Sequence, residues 1–137
     1  MEIIPQTPGM IRLDWEYFAH AVNVVARKAQ EGFTPDQVMG ALMNGDASAF
    51  YVYECGHHRG LLVLTDHVDM YTGKKVIHVD MLYLNGPSLI HEMTELLNVI
   101  AIEHEFDQIE FRSPRQGWFK YLSDAGFKAG ATFTKEF

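Results

Sequence analysis

The second half of the chain combines an apolar strand with an amphipathic helix that follows it directly. The segment Lys75–Leu84 is rich in apolar and β-branched residues, and its far end is apolar on both faces, which is typical of a central strand. After the loop Asn85–Ser88, an apolar stripe recurs at three- and four-residue steps from Leu89 to Ala101. This pairing predicts a sheet that is covered by helices.

Earlier segments extend this pattern toward the N-terminus. The first half predicts a short edge strand ended by Pro5, a helix over 13–30 with Asp14 as its N-cap, and a short helix that begins at Thr34. Thr34, a proline and Gln37 form the signature of a capping box. Two strands of an antiparallel meander follow, over 50–55 and 61–65, joined by a turn over 56–60.

The last third of the chain predicts a strand over 108–112 and a helix that starts at Ser113–Pro114 and closes at Gly126. An extended segment follows, with a break at Gly130. The resulting order is β, α, α, β, β, β, α, β, α, β. It predicts one α/β (α+β) domain over residues 1–137, with a mixed, mostly antiparallel central sheet and helices on both faces.

Composition narrows the class of protein. The 137 residues carry a formal net charge of −7, which disfavours general nucleic-acid binding because the surface repels phosphate. Cys55 is the only cysteine, so no internal disulfide can form, and this fits a reducing compartment. Neither a signal peptide nor a membrane span is apparent in the sequence. We therefore expect a soluble cytoplasmic protein.

The element order resembles the GNAT acetyltransferase superfamily from about Leu13 to Phe137. Met81–Leu82–Tyr83–Leu84 resembles the end of that family's central strand, and the segment 118–127 resembles its late helix, which ends in Gly-Phe. The small size also resembles phage-encoded GNAT-like proteins, some of which are virion components. The resemblance implies a GNAT-like fold and an acyl-CoA-dependent transfer to an amine.

The resemblance also implies where acetyl-CoA would bind. In the family, the loop after the central strand holds the cofactor's pyrophosphate on backbone N–H groups at a helix N-terminus. The corresponding positions here are Leu82, Tyr83, Leu84, Asn85, Gly86 and Ser88. The sequence departs from the family motif, because Leu89 and Ile90 stand where small residues are expected. Ser88 has a simpler interpretation as the N-cap of the next helix.

Three residues are candidates for catalysis by the same resemblance. His78 and Asp80 lie in the strand from which the family often draws its general base. The family often places a tyrosine four residues before the late glycine, where it protonates the leaving thiolate. Here that position is Leu122, and Tyr121 is one residue away, about 100° around the helix.

Other polar clusters have simpler interpretations. If the hairpin closes symmetrically about Thr72–Gly73, His67 lies opposite His78 and Thr65 lies opposite Asp80. A zinc pair is one interpretation of those histidines, but no third ligand is fixed by spacing, so no metal site is predicted. The segment 57–59, His-His-Arg, is predicted to be a polar turn, and Cys55 is predicted to be an unreactive strand residue.

Two functions follow from these observations. The first is a divergent acetyl-CoA-dependent N-acetyltransferase that acts on a small-molecule amine. The alternative is a catalytically inactive GNAT-like scaffold that acts through a protein partner, such as a phage virion or host-interaction protein, and then needs no cofactor. A patch of exposed aromatic residues including Trp15 and Trp118 would favour the alternative. The sequence does not determine the oligomeric state.

Overall fold

A computed structural model describes residues 1–86, 89–112, 118–128 and 133–137. The strands are β1 (Glu2–Gln6), β2 (Ser48–Glu54), β3 (His57–Val68), β4 (Lys75–Leu84), β5 (Gln108–Phe111) and β6 (Phe133–Glu136). The helices are α1 (Pro8–Leu13), α2 (Trp15–Ala29), α3 (Pro35–Met43), α4 (Leu89–Glu103) and α5 (Phe119–Asp124). None of the helices in these ranges combines the length and the apolar character that a bilayer crossing requires.

The strands form one six-stranded sheet whose spatial order follows the chain, from β1 at one edge to β6 at the other. Every neighbouring pair is antiparallel except β4 and β5, which are parallel. Parallel neighbours need a crossover connection, and α4 provides it. The predicted mixed, mostly antiparallel sheet is confirmed.

Helices cover both faces of the sheet. Ile77, Val79 and Leu82 of β4 belong to a core that also contains the buried side of α4 and Leu122 of α5. Met81 of β4 belongs to a second core with the buried sides of α1, α2 and α3. Because β4 contributes to both cores, the prediction that its far end is apolar on both faces is confirmed.

The predicted helix over 13–30 is confirmed as α2, and Asp14 is its N-cap residue, although the Asp14 side chain makes no capping hydrogen bond. The Asp14 carboxylate instead accepts a hydrogen bond from the Tyr51 hydroxyl at 3.4 Å. A second helix, α1, ends just before Asp14. The sequence patterns did not predict α1. Its N-cap is Thr7, whose hydroxyl accepts a hydrogen bond from the Met10 N–H, and Pro8 follows as the first helical residue.

The capping box of α3 is confirmed. The Thr34 hydroxyl accepts from the Gln37 N–H at 3.3 Å, and the Gln37 side chain accepts from the Thr34 N–H at 2.9 Å. At the end of α2, Gln30 adopts the left-handed conformation, and its N–H donates to the carbonyls of Ala26 and Arg27. Both ends of the α2–α3 connection are therefore set by local hydrogen bonds.

The turn predicted over 56–60 is wrong. The β2–β3 hairpin turns at Cys55 and Gly56, whose φ angles are 50° and 77°, so two residues with positive φ close a tight hairpin. His57, His58 and Arg59 consequently lie in β3. His58 packs among the tyrosine rings of α2 and β2, with ring centroids 4.2 Å from Tyr17 and 4.3 Å from Tyr51.

The register predicted for the β3–β4 hairpin is also wrong. His67 lies opposite Val76, and Thr65 lies opposite His78. The two histidines that a zinc pair would need are therefore not cross-strand partners. Within the described ranges, no group of three or more histidine, cysteine or carboxylate side chains is placed to hold a metal ion.

The turn itself explains this register. The Asp69 carboxylate accepts hydrogen bonds from the backbone N–H groups of Tyr71 and Thr72, both at 2.9 Å. The Gly73 N–H donates to the Asp69 carbonyl. Because this Asp-centred turn closes earlier in the chain than a turn about Thr72–Gly73, each pairing moves by two residues.

The end of α5 follows the prediction. Gly126 has a φ of 94°, its N–H donates to the Ser123 carbonyl, and the Phe127 N–H donates to the Leu122 carbonyl. This pattern is a Schellman motif, in which glycine tolerates the left-handed residue best. The predicted cap at Ser88, the helix start at 113–114 and the break at Gly130 lie outside the described residues.

Candidate active site at the bulge of strand β4

An extra residue in β4 forms a β-bulge. Leu64 pairs with Val79 and Val63 pairs with Met81, so Asp80 has no partner of its own on β3. A bulge turns two successive side chains toward the same face of a sheet and re-aims them. Asp80 and Met81 both line cavities on the face that α2 and α3 cover.

The strands β4 and β5 separate just beyond this bulge. Their parallel pairing runs from Val76 to Val79 on β4, and a final hydrogen bond joins the Arg112 N–H to the Val79 carbonyl at 3.1 Å. In the described part of the chain, residues 80–84 of β4 have no partner on this side. The β4 backbone is therefore open along its β5 side.

Two cavities meet at the bulge. The smaller, of about 20 Å³, lies between the end of α2 and the separating strands, and Trp118 forms part of its wall. The larger, of about 190 Å³, lies under α3. Asp80, Met81 and Arg112 line both cavities. The larger cavity can admit a small molecule to this point, whereas the smaller has room for about one water molecule.

The Asp80 carboxyl is held by two neighbours. Its Oδ1 lies 3.2 Å from Nε2 of His78, and the Thr65 hydroxyl donates a hydrogen bond to the carboxyl. Burial raises the pKa of Asp80 above its usual value, and the opposing effects of His78, Arg112 and Thr65 are smaller. A carboxylate with a raised pKa accepts protons more readily than one in water.

His78 lies between two carboxylates. Its Nδ1 is 3.1 Å from Oε1 of Glu110 on β5, and its Nε2 faces Asp80. All three side chains are about one-fifth exposed. A neutral imidazole has one N–H donor, and an imidazolium has two. The three side chains form one connected polar group centred on the His78 ring.

Glu110 is a site residue that sequence reasoning missed. Ile109 and Phe111 are buried in the core on the α4 face, so Glu110 points to the opposite face, and β5 pairing places it beside His78. The alternation of side chains along β5 predicts which face of the sheet Glu110 occupies. Only the parallel register of β4 and β5 shows that its neighbour is His78. Arg112 follows, and its guanidinium donates to Glu31 at 2.8 Å.

Comparison with known proteins identifies the fold of the chain. No protein-family model matches the sequence, and no curated protein matches it. A probable acetyltransferase matches with a TM-score of 0.69 and 12% identity, over 95% of this chain and 91% of that one. A GNAT-family acetyltransferase from Listeria monocytogenes matches with a TM-score of 0.68 and 14% identity, over 99% and 94%. The fold is that of the GNAT acetyltransferases.

A third similar structure, a predicted acetyltransferase from Clostridium acetobutylicum, was solved with acetyl-CoA. It matches with a TM-score of 0.67 and 12% identity, over 94% of this chain and 90% of that one. At these identities the comparisons establish the GNAT fold of the chain. Its chemistry has to be argued from its own residues.

The positions that the GNAT resemblance assigns to the cofactor lie at the end of β4. The side chains of Leu82 and Leu84 are buried, and Tyr83 packs near Tyr17 with ring centroids 6.3 Å apart. The Asn85 N–H donates to the Arg59 carbonyl at 2.7 Å. Gly86 has a φ of 146°, which a residue with a side chain rarely adopts. Ser88 lies outside the described residues.

The large residues that break the GNAT loop motif point into the core. Leu89 is 4% exposed and Ile90 is fully buried, both in the cluster that α4 makes with the sheet. Their side chains therefore pack beneath the start of α4. Although Leu89 and Ile90 depart from the sequence motif, their side chains do not cover the backbone at the start of α4.

The late helix differs from the GNAT pattern. Leu122, at the position where the family often has tyrosine, is fully buried in the core. Tyr121 is 39% exposed, and it is not among the residues that line the two cavities at Asp80. The structure thus brings Asp80 and His78 together and places Tyr121 apart from them.

Proposed function

We propose that this protein transfers an acetyl group from acetyl-CoA to an amine, with Asp80 as the general base. One observation carries the proposal: the Asp80 carboxyl stands where the two cavities meet, beside the open edge of β4. A base must lie within reach of the amine proton, and a carboxyl with a raised pKa is suited to accept it.

The residues at the end of β4 fit an extended thioester chain. The open β4 edge offers backbone groups over residues 80–84 in the described part of the chain. A side chain at Gly86 would strain the backbone, because its φ of 146° is rarely adopted by residues that carry a Cβ. We propose that Leu82, Tyr83, Leu84, Asn85, Gly86 and Ser88 hold acetyl-CoA.

Acetyl-CoA, when bound, supplies the acyl group whose carbonyl carbon bonds to the amine nitrogen as the carbon–sulfur bond breaks. Asp80 accepts the proton that the amine loses. His78, which contacts both Asp80 and Glu110, holds the base in position. The leaving sulfur takes up a proton in turn, and Tyr121 as its donor stays a prediction.

Binding of acetyl-CoA is the first test. A ligand that binds only the folded protein stabilises it, by about 2.7 kcal/mol at a hundred times its Kd. We therefore expect the melting temperature to rise with acetyl-CoA concentration. Gly86→Ala and Gly86→Asp should weaken this shift, whereas Gly32→Asp, at an open site with nothing within 4 Å, should retain it. No shift at millimolar acetyl-CoA would refute the proposed function.

One observation favours the alternative of a non-catalytic scaffold, for which we propose a role in a phage virion or in host interaction. Leu122 removes the tyrosine that the GNAT pattern places on the late helix. The aromatic surface patch that would have supported this alternative does not form from the tryptophans. Trp118 is 6% exposed in the α4-side core, and Trp15 packs on the opposite core. Absence of acetyl-CoA binding would favour the scaffold.

A further inference from the structure

We propose that the acceptor is a small primary amine whose body is apolar and about as large as a branched alkyl chain or a benzene ring. This proposal rests on the proposed function and assigns the larger cavity to the acceptor. The cavity lies under α3 and opens beside Asp80. Its chemistry and its volume each restrict what can occupy it.

The walls of the larger cavity are mainly apolar. Val63 and Met81 form its floor on the sheet, and α3 adds Val38 and Ala41. Phe33 closes the side next to the α2–α3 connection. An amine with an apolar body gains free energy by leaving water for such walls, whereas a polar body loses its hydrogen bonds to water there.

The polar groups of this cavity favour an acceptor that carries a single positive charge. Of its described lining residues, Gln37 uses its side-chain oxygen in the capping box, and Arg112 donates to Glu31. Asp80 is the one carboxylate in the lining. Its two oxygens offer about four acceptor positions, and His78 and Thr65 supply two of its partners, so an ammonium group can still be accepted.

Volume sets the size of the apolar body. The cavity measures about 190 Å³, and an engineered apolar cavity of about 150 Å³ in another protein binds benzene. The alanine side chain at position 41 leaves this space open. A branched alkyl chain or a benzene ring therefore fits, while an ethyl group leaves much of the cavity empty.

A second positive charge at the far end of the acceptor would have no counter-charge in this lining. Apart from Asp80, Arg112 and Gln37, the described walls of the cavity are apolar. We expect kcat/KM for isoamylamine to exceed that for 1,4-diaminobutane by at least about tenfold, the scale at which apolar pockets discriminate. The two amines have similar length, so charge is the main difference.

Steady-state acetylation assays with isoamylamine, ethylamine and 1,4-diaminobutane test the proposal, with acetyl-CoA as donor. Ala41→Leu fills the cavity from α3, and we expect it to lower kcat/KM for isoamylamine about tenfold or more while ethylamine changes less than about threefold. Met43→Leu, on the same helix with a side chain 56% exposed, is the matched control and should behave as wild type.

Binding of isoamylamine alone gives a second measurement that does not depend on turnover. Its titration should shift the NMR methyl signals of Met81 and Ala41 in the wild-type protein, and Ala41→Leu should remove the Met81 shift. Preference for 1,4-diaminobutane, or equal losses for both alkylamines in Ala41→Leu, would overturn the acceptor class. If acetyl-CoA fails to bind, the proposed function fails, and absence of the methyl shifts would separately overturn the assignment of the cavity.

Discussion

Burial raises the pKa of the Asp80 carboxyl, while a hydrogen bond from Thr65 and the nearby His78 ring, 3.2 Å away, keep that carboxyl in place. Strand alternation places Asp80 on the same face as His78, and the β4 bulge leaves Asp80 without a partner residue on β3 and brings Met81 to that face as well. The surroundings of this one side chain therefore combine a regular strand position with a local irregularity of the backbone.

Replacing the base tests its role at the scale of one residue. Asp80→Asn keeps the size of the side chain but removes the proton acceptor, so we expect kcat/KM for amine acetylation to fall about 10²- to 10⁴-fold. The stabilisation by acetyl-CoA should persist, because Asp80 is not assigned to the cofactor. Asp66→Asn, an exposed carboxylate on β3, is the control. Full activity of Asp80→Asn would exclude Asp80 as the base.

Close contact between β3 and β4 matters at the scale of the element. A Cβ on Gly60 would overlap the Tyr83 carbonyl oxygen of the neighbouring strand. Only a residue without a side chain allows β3 to approach β4 at this point, next to the positions assigned to the cofactor. Gly60 therefore allows β3 to pair closely with β4 at the positions that are assigned to the cofactor.

Paired alanine substitutions test this contact. We expect Gly60→Ala to destabilise the protein by about 1–3 kcal/mol, because the strands must move apart. Gly40→Ala, inside α3 with nothing within 4 Å of its Cβ, should stabilise it by about 0.5–1 kcal/mol. Urea unfolding measures both free energies. If the two substitutions changed the free energy of unfolding equally, the close β3–β4 contact at Gly60 would not contribute to stability.

Most elements could be predicted from the sequence, because their signals are local. The capping box at Thr34 and the left-handed Gly126 depend on residues within one turn of each other. The register of the β3–β4 hairpin could not be predicted, since a side chain of the turn, Asp69, decided where the chain reverses. The start of α1 carried a readable cap in Thr7–Pro8 that the longer apolar pattern obscured.

At the scale of the whole molecule, the ionisation of Asp80 links the site to the stability of the fold. The folded protein holds the Asp80 proton more tightly than the unfolded chain, whose carboxyl has a pKa of about 3.9. The stabilisation from this proton is complete below that value and is lost as pH rises through the higher folded pKa. At neutral pH, the ionised and partly buried Asp80 carboxylate therefore lowers the free energy of unfolding.

Asp80→Asn should reveal this linkage. Because asparagine does not titrate, the free energy of unfolding of the variant minus that of the wild type should become more positive between about pH 4 and pH 7.5. Urea unfolding at a series of pH values measures the difference, with Asp66→Asn as the exposed control. A difference that is constant with pH, or that becomes more negative, would contradict the raised pKa of Asp80.

The sequence by itself determined the order of the six strands and of four of the five helices, the two-sided burial of β4 and the candidates His78 and Asp80. Hydrophobic periodicity and caps act over a few residues, so they can be read along the chain. Only the tertiary structure decided that Asp80 occupies a bulge, that Glu110 joins His78, and that Leu89 and Ile90 point into the core. Strand register and strand separation depend on contacts between residues far apart in sequence, and no local pattern encodes them.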